Sequence, residues 1–293
     1  MNNSTTERKA FFKKIRGHET EGAEMSFVDH LEVLRWHLVR SAIVLVIVGI
    51  GVFLFVDWIF DNIIFAPARK DFVTYTGLCN LSHKLHLGDA LCMPPIDIEL
   101  LGSTVSGPFM SAISISFMGA IIIAFPYLMW ELWRFVKPAL SEKEINYAKG
   151  SIGWVSLCFF SGAAFGYFLL APFTFNFLAN FQLGTMGVYK YLPTLDDYID
   201  TLTSLILGCG IAFELPVLAY VLSKLGLITP QFLKTYRKYA YVVILIVSAI
   251  ITPSPDWTSQ TIVAVPLIIL YEISIFISKR VDKQRIKAEA EWE

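Results

Sequence analysis

Apolar residues in this chain fall in long runs rather than in alternating stripes. Cutting the sequence at its charged residues isolates six runs: Ser41–Val56, Leu100–Trp130, Ser151–Pro172, Thr201–Ser223 interrupted by Glu214, Tyr239–Thr252, and Trp257–Ser278 interrupted by Glu272. Each is apolar all round, the signature of a helix surrounded by lipid rather than of one with a water-facing stripe. Pro108 suits a first helical turn, Pro172 closes or kinks the third run, and Pro216 strips one carbonyl of its helical donor. The fifth run covers only about 21 Å at ~1.5 Å per residue, against a hydrocarbon core of roughly 30 Å. It gains length if its helix starts near Thr229-Pro230 and Lys234, Arg237 and Lys238 snorkel; even so, the last hairpin is expected in a locally thinned bilayer. The predicted spans are 38–58, 108–135, 150–172, 199–223, 233–252 and 257–278, the last two short. They form one membrane domain over 25–278, between a polar extension (1–24) and a charged tail (279–293).

Composition agrees with that pattern. The 293 residues are 55% hydrophobic and 17% charged, with a mean hydropathy of +0.57, while a soluble domain carries about a quarter charged residues. The fold class is therefore an all-α polytopic membrane protein. The net charge of −1 says little, because sidedness matters more than the sum. Of the 24 lysines and arginines, all but Arg69, Lys70, Lys84 and Lys190 fall in the termini and in the loops near 140 and 230. By the positive-inside rule these segments are cytoplasmic, giving six spans with both termini inside. No cleavable leader is expected, since the first residues are polar and lack an apolar core.

Cys158 and Cys209 lie within runs and read as small apolar residues. Cys79 and Cys92 share the first non-cytoplasmic loop with His83 and His86. A disulfide is the plainer reading in an oxidising compartment; the spacing C-x3-H-x2-H-x5-C also leaves open a tetrahedral zinc site. The hydrolase, P-loop and dinucleotide motifs are absent, so no enzymatic activity and no cofactor are expected. Glu214 lies deep in its span, where a carboxyl costs several kcal/mol unless protonated, paired or wetted. It is either a protonated acid bonding the carbonyl freed by Pro216 or a functional group facing a concavity. Glu272 is shallower and reads equally as a near-interface ion-pair partner or as a functional polar group. Gln260 reads as an interhelical hydrogen-bonding group. In the loop RFVKPALSEKEINYAK, Ser141 and Glu144 have the spacing of a capping box. In DHLEVLRWHLVR, basic residues hold the first span in its orientation, and Asp29 and Glu32 suit the first helical turn, where the helix dipole favours acids.

Several of these stretches, in this order, resemble the TatC family, the multi-span receptor subunit of the twin-arginine translocase. The carriers are DHLEVLR, FAPAR with Pro67, SGPF, WRFVKPALSEKE, YFLLAPFTFNFLANF, GIAFELPV, GLITPQFLKTYRKY, ITPSPDWTSQ and LYEISIF, spread from Met25 to Lys279. The resemblance implies a concave, glove-like bundle of six helices in the bacterial inner membrane. It implies a receptor that binds twin-arginine signal peptides at its cytoplasmic face. With single-span TatA/TatB-type partners, in an oligomeric Tat complex, it exports folded proteins on the proton gradient, with no nucleic acid involved. By motif match Glu144 meets the arginine pair, with Phe135 and Pro138 shaping its loop, and His30, Glu32 and Arg35 add the amino-terminal part. Glu214 matches an intramembrane glutamate, and Gln260 and Asp256 match a polar group at the start of the sixth helix. Arginine's planar fork suits bidentate binding by carboxylates. The family's amino-terminal motif has an acid two residues before the arginine; here that position is Val33, and Glu32 precedes it. One residue is about 100° of helix rotation, which leaves three readings: Glu32 swings in, Glu144 acts alone, or recognition is impaired. The competing function is a proton-coupled small-solute transporter relaying through Glu214, which predicts paired half-sequences; no convincing repeat is visible.

Overall fold

The computed structural model describes residues 27–69, 71–86, 88–89, 92, 99–102, 104–137, 151–180, 192–224, 226–252 and 257–290. The chain forms two units, Met1–Arg40 and Ser41–Glu293, and each is taken by itself. Helix α1 (Phe27–Leu54) carries the described part of the first unit and enters the second. There follow α2 (Val56–Ile59), α3 (Val73–Lys84), α4 (Gly107–Val136), α5 (Ser151–Phe165), α6 (Ala171–Asn180), α7 (Leu195–Ala212), α8 (Leu215–Lys224), α9 (Pro230–Thr235), α10 (Arg237–Ile251) and α11 (Trp257–Ala290). The β-branched runs are helical because a backbone without water must satisfy its own hydrogen bonds.

Among the described residues, five helical stretches are long and apolar enough to cross a membrane: Glu32–Leu54, Gly107–Val136, Ile152–Asn180, Leu195–Lys224 and Gln260–Gln284. The predicted fifth span is divided. Thr229 caps α9 by accepting from the Phe232 N–H at 3.2 Å, with Pro230 in its first turn, as the sequence suggests. The helix breaks at Tyr236, and the 15 residues of α10 reach about 22 Å. The last helix is not short, contrary to expectation: α11 runs for 34 residues, through the apolar run and most of the predicted tail. Its continuation KRVDKQRIKAEA is built of strong helix formers, so nothing stops it where the apolar run ends.

Pro172 and Pro216 redirect helices rather than end them. Before Pro172 the helix widens into a π-turn over Gly166–Leu170, then continues as α6. The Phe168 carbonyl, whose α-helical donor would be Pro172, accepts instead from the Thr74 hydroxyl. Pro216 stands in the first turn of α8, just after the break at Phe213-Glu214. After α1, a second π-turn (Phe60–Ile64) and a 3-10 turn (Ala66–Ala68) around buried Pro67 reverse the chain. The carbonyls exposed by these turns are met by tyrosines. Tyr198 donates to Ile64 O at 2.6 Å, Tyr167 to Ile63 O at 2.8 Å, and Tyr75 to Pro67 O at 3.0 Å and Pro172 O at 3.3 Å. The Pro67 and Pro172 turns are thereby tied to one hydroxyl.

Glycines set the central crossing. A Cβ at Gly162 would stand 2.4 Å from the Cys209 carbonyl oxygen, and one at Gly166 would stand 2.6 Å from that of Leu205. Two glycines four apart on α5 and its π-turn thus lie against two carbonyls four apart on α7, the close approach typical of small-residue interfaces in membranes. Around it Ile115, Met118, Leu170, Leu202, Leu205, Val263 and Leu267 form the buried core. Large apolar side chains elsewhere face outward, such as Ile47, Leu54 and Ile250, as lipid contact requires.

Candidate functional site

The last turns of α4 carry a cluster that sequence reasoning missed. Glu131 is only 1% exposed. It accepts from the Tyr127 hydroxyl at 2.8 Å, and the Arg134 guanidinium lies 3.8 Å from the same oxygen. Arg134 also sits 4.9 Å from the centre of the Trp130 ring, a cation–π contact that holds it over the helix. The signal was present as Tyr-x3-Glu-x2-Arg, positions that share a helix face. It was passed over because Glu131 served only to mark where an apolar run ends. Phe135, half-buried, stands one turn further on. Pro138, Glu144 and the Ser141 capping box lie outside the described residues, as does Asp256.

In the amino-terminal unit, His30 falls within α1, though its side chain is outside the description. Glu32 and Arg35 are exposed while Val33 is half-buried, so the glutamate does not occupy the valine's side of the helix. The Arg35 guanidinium lies 5.8 Å from the centre of the Trp36 ring.

The intramembrane polar groups separate by how they are satisfied. Glu272 accepts from Arg237 at 2.9 Å and from the Tyr241 hydroxyl at 2.6 Å, an ion pair joining α10 to α11. Gln260 donates its amide to the Leu245 carbonyl at 3.0 Å, bridging the same two helices. Ser223 and Ser278, both buried, bond at 2.7 Å. Glu214 differs from all of these: its Oε1 is buried with no hydrogen-bond partner, so that oxygen makes no bond to a carbonyl freed by Pro216. An apolar cavity of about 350 Å³ opens between Val52, Ile63, Ile115, Ile122, Phe160 and Ala163.

Cys79 and Cys92 form the expected disulfide. The groups that could hold a metal, among the described residues, are these two cysteines with His83 and Asp89. Asp89 takes the place the spacing suggested for His86, whose ring nitrogen lies 3.4 Å from the His83 carbonyl.

Long apolar helices that cross on glycines define a multi-pass helical membrane protein. A family model described as Sec-independent protein translocase protein (TatC) matches residues 29–266. The TatC protein of Blattabacterium sp. subsp. Periplaneta americana (strain BPLAN) is 37% identical over 270 residues, covering 91% of this chain and 100% of that one. That of Helicobacter pylori (strain J99) is 47% identical over 173 residues, 59% of this chain and 68% of its own length. A crystal structure of the twin-arginine translocase receptor TatC matches with a TM-score of 0.66 and 33% identity, over 86% of this chain and 99% of that one. The chain belongs to the TatC family and is a multi-pass membrane subunit of the Sec-independent protein translocase.

Proposed function

We propose that this subunit is the receptor for twin-arginine signal peptides, that it binds them at its cytoplasmic face, and that it exports their folded passengers with TatA/TatB-type single-span partners in an oligomeric complex driven by the proton gradient. The observation that carries the reading is the 33% identity, over 86% of the chain, to a protein crystallised as the twin-arginine translocase receptor. In this reading the protein lies in the bacterial inner membrane with six spans and both termini inside, α9 and α10 supplying the fifth. The distribution of lysine and arginine supports that orientation.

Glu144 holds the arginine pair through its carboxylate, and Phe135 and Pro138 shape the loop that presents it. Glu131, one turn before Phe135, fixes the end of α4 from which that loop departs. Glu32, Arg35 and His30, on the amino-terminal helix, are the further residues of this proposal that meet the signal peptide. The apolar stretch of the signal then runs along the spans, where the cavity beside Val52 and Phe160 offers a lipid-like wall. Glu214 and the Gln260, Asp256 and Glu272 group serve the membrane-embedded steps, including contact with the single-span partners.

Photocrosslinking to a purified twin-arginine signal peptide tests the proposal. A twin-lysine signal should crosslink poorly, because lysine offers a point charge rather than a planar fork, and Glu144→Ala should weaken crosslinking of the arginine form at least tenfold. Equal crosslinking of the two signals sinks it.

A further inference from the structure

We propose that the loop between the first and second apolar helices carries a metal site hidden by its own disulfide: once the Cys79–Cys92 bond is reduced, both thiolates, His83 and Asp89 bind one Zn²⁺ tetrahedrally. The donor atoms of all four residues lie within 4.8 Å of one another. His83 Nε2 is 2.9 Å from Asp89 Oδ1, and Cys92 Sγ is 3.7 Å from the same oxygen. Zinc bond lengths of about 2.3 Å to sulfur and about 2.0–2.2 Å to nitrogen and oxygen set tetrahedral edges of roughly 3.4 Å for N···O, 3.6 Å for S···O and 3.8 Å for S···S. The second edge therefore matches the distance already present to about 0.1 Å, and the first needs His83 and Asp89 to part by about half an ångström. The third needs only that the bonded sulfurs part.

Local structure builds the cluster. Cys79 and His83 stand four apart on α3 and so share a face. The Ser82 hydroxyl donates to the Gly88 carbonyl at 2.6 Å, and Gly88 turns the chain with φ +60°, a conformation glycine adopts at little cost. Asp89 is thereby returned to the end of α3. The Cys92 N–H bonds the Asp89 carbonyl at 3.0 Å, which places the second sulfur beside the first. The mix of two thiolates, an imidazole and a carboxylate is a zinc donor set, not that of calcium or magnesium.

The two states interconvert by thiol–disulfide exchange. An external dithiol gives two electrons and two protons to the Cys79–Cys92 bond, leaving two thiols and the cyclic disulfide of the reductant. Zn²⁺ then displaces the two thiol protons to solvent. Either cross-link closes the same loop, so its fold survives reduction when zinc is present.

The test uses the full-length protein in detergent, oxidised or reduced by a dithiol and desalted under inert gas. Zn²⁺ is titrated against a chromophoric chelator, and Co²⁺ serves as a spectroscopic stand-in. The reduced protein should take up one equivalent, with the intense visible bands of tetrahedral cobalt and a thiolate charge-transfer band, and the oxidised protein none. His83→Ala and Asp89→Ala should each weaken Zn²⁺ binding at least tenfold while both thiols remain titratable. The double variant Cys79→Ser, Cys92→Ser, which keeps Cys158 and Cys209, should bind none. The proposal is overturned if the reduced protein binds no metal, if the double variant binds as well as the parent, or if loss of His83 and of Asp89 changes nothing.

Discussion

Two sets of tyrosine hydroxyls in this protein do different work. Around the Pro67 and Pro172 turns, Tyr75, Tyr167 and Tyr198 donate to backbone carbonyls. At the end of α4 and between α10 and α11, Tyr127 and Tyr241 donate to carboxylates. The first arrangement is neutral on both sides; Tyr167, Tyr198 and, toward Pro67, Tyr75 satisfy carbonyls in or beside the π- and 3-10 turns. The second steadies an acid that an arginine also approaches. The neutral region is built for stability. The charged region keeps a polar group inside an apolar element, which costs desolvation that its bonds only partly return; the proposed function gives it a role in binding.

That contrast is open to direct attack. The largest loss of stability is expected from Tyr198→Phe, because Tyr198 is 1% exposed and its removal leaves the Ile64 carbonyl buried without its donor. The cost should be about 1–3 kcal/mol, read as a lowered unfolding midpoint in detergent, with export per folded molecule unchanged. Full stability in this variant would break the comparison at its stronger end. A smaller effect is expected from Glu131→Gln, which keeps a hydrogen-bond acceptor for Tyr127 while removing the charge that faces half-exposed Arg134. Stability should fall by under about 1 kcal/mol, while signal-peptide crosslinking drops several-fold. A midpoint shift as large as that of Tyr198→Phe, with normal crosslinking, would show that the two regions do the same work. Glu272→Gln sharpens the point further. Arg237 and Tyr241 retain an acceptor, and the midpoint should move little, but association with a single-span partner in a pull-down should weaken.

The same contrast explains how far the sequence could be read. Runs cut at charged residues overlap each of the long apolar helices, because apolarity all round has one meaning in a chain of this length. Their ends do not coincide: α1 begins at Phe27, α6 carries the third on to Asn180, and α3 lies outside every run. Thr229-Pro230 marked the start of α9 because a cap and a first-turn proline act locally. The end of α11 was misjudged, since helix propensity and apolarity are separate signals and only the second stops at Ser278. Glu272 was legible as a pairing candidate, but its partners Arg237 and Tyr241 come from another helix and depend on packing. Glu131 carried its partners in its own helix and was still missed, because a residue at the edge of a run was used as a boundary. The tyrosine bonds were not legible at all. Each of these hydroxyls finds its carbonyl through tertiary packing, and the π-turns at Phe60–Ile64 and Gly166–Leu170 carry no local sequence signal.

The neutral region also separates by pH. Tyr75 lies on α3, outside the long apolar helices, and burial pushes its phenol well above the usual value. The folded state therefore keeps its proton at a pH where the unfolded chain has lost it. This contribution to stability is fully present below about pH 10, the ordinary tyrosine value, and is lost progressively as the pH rises above it. Tyr75→Phe should cost about 1 kcal/mol near neutrality through the lost bonds to Pro67 and Pro172, and should flatten part of the alkaline fall in the unfolding midpoint. Phenylalanine cannot ionise, so the gap between parent and variant should narrow as the pH rises above about 10. A gap that stays constant over that range would mean that the Tyr75 hydroxyl ionises as readily in the folded protein as in the unfolded chain, and that the Pro67 and Pro172 carbonyls are not closed off from water by it.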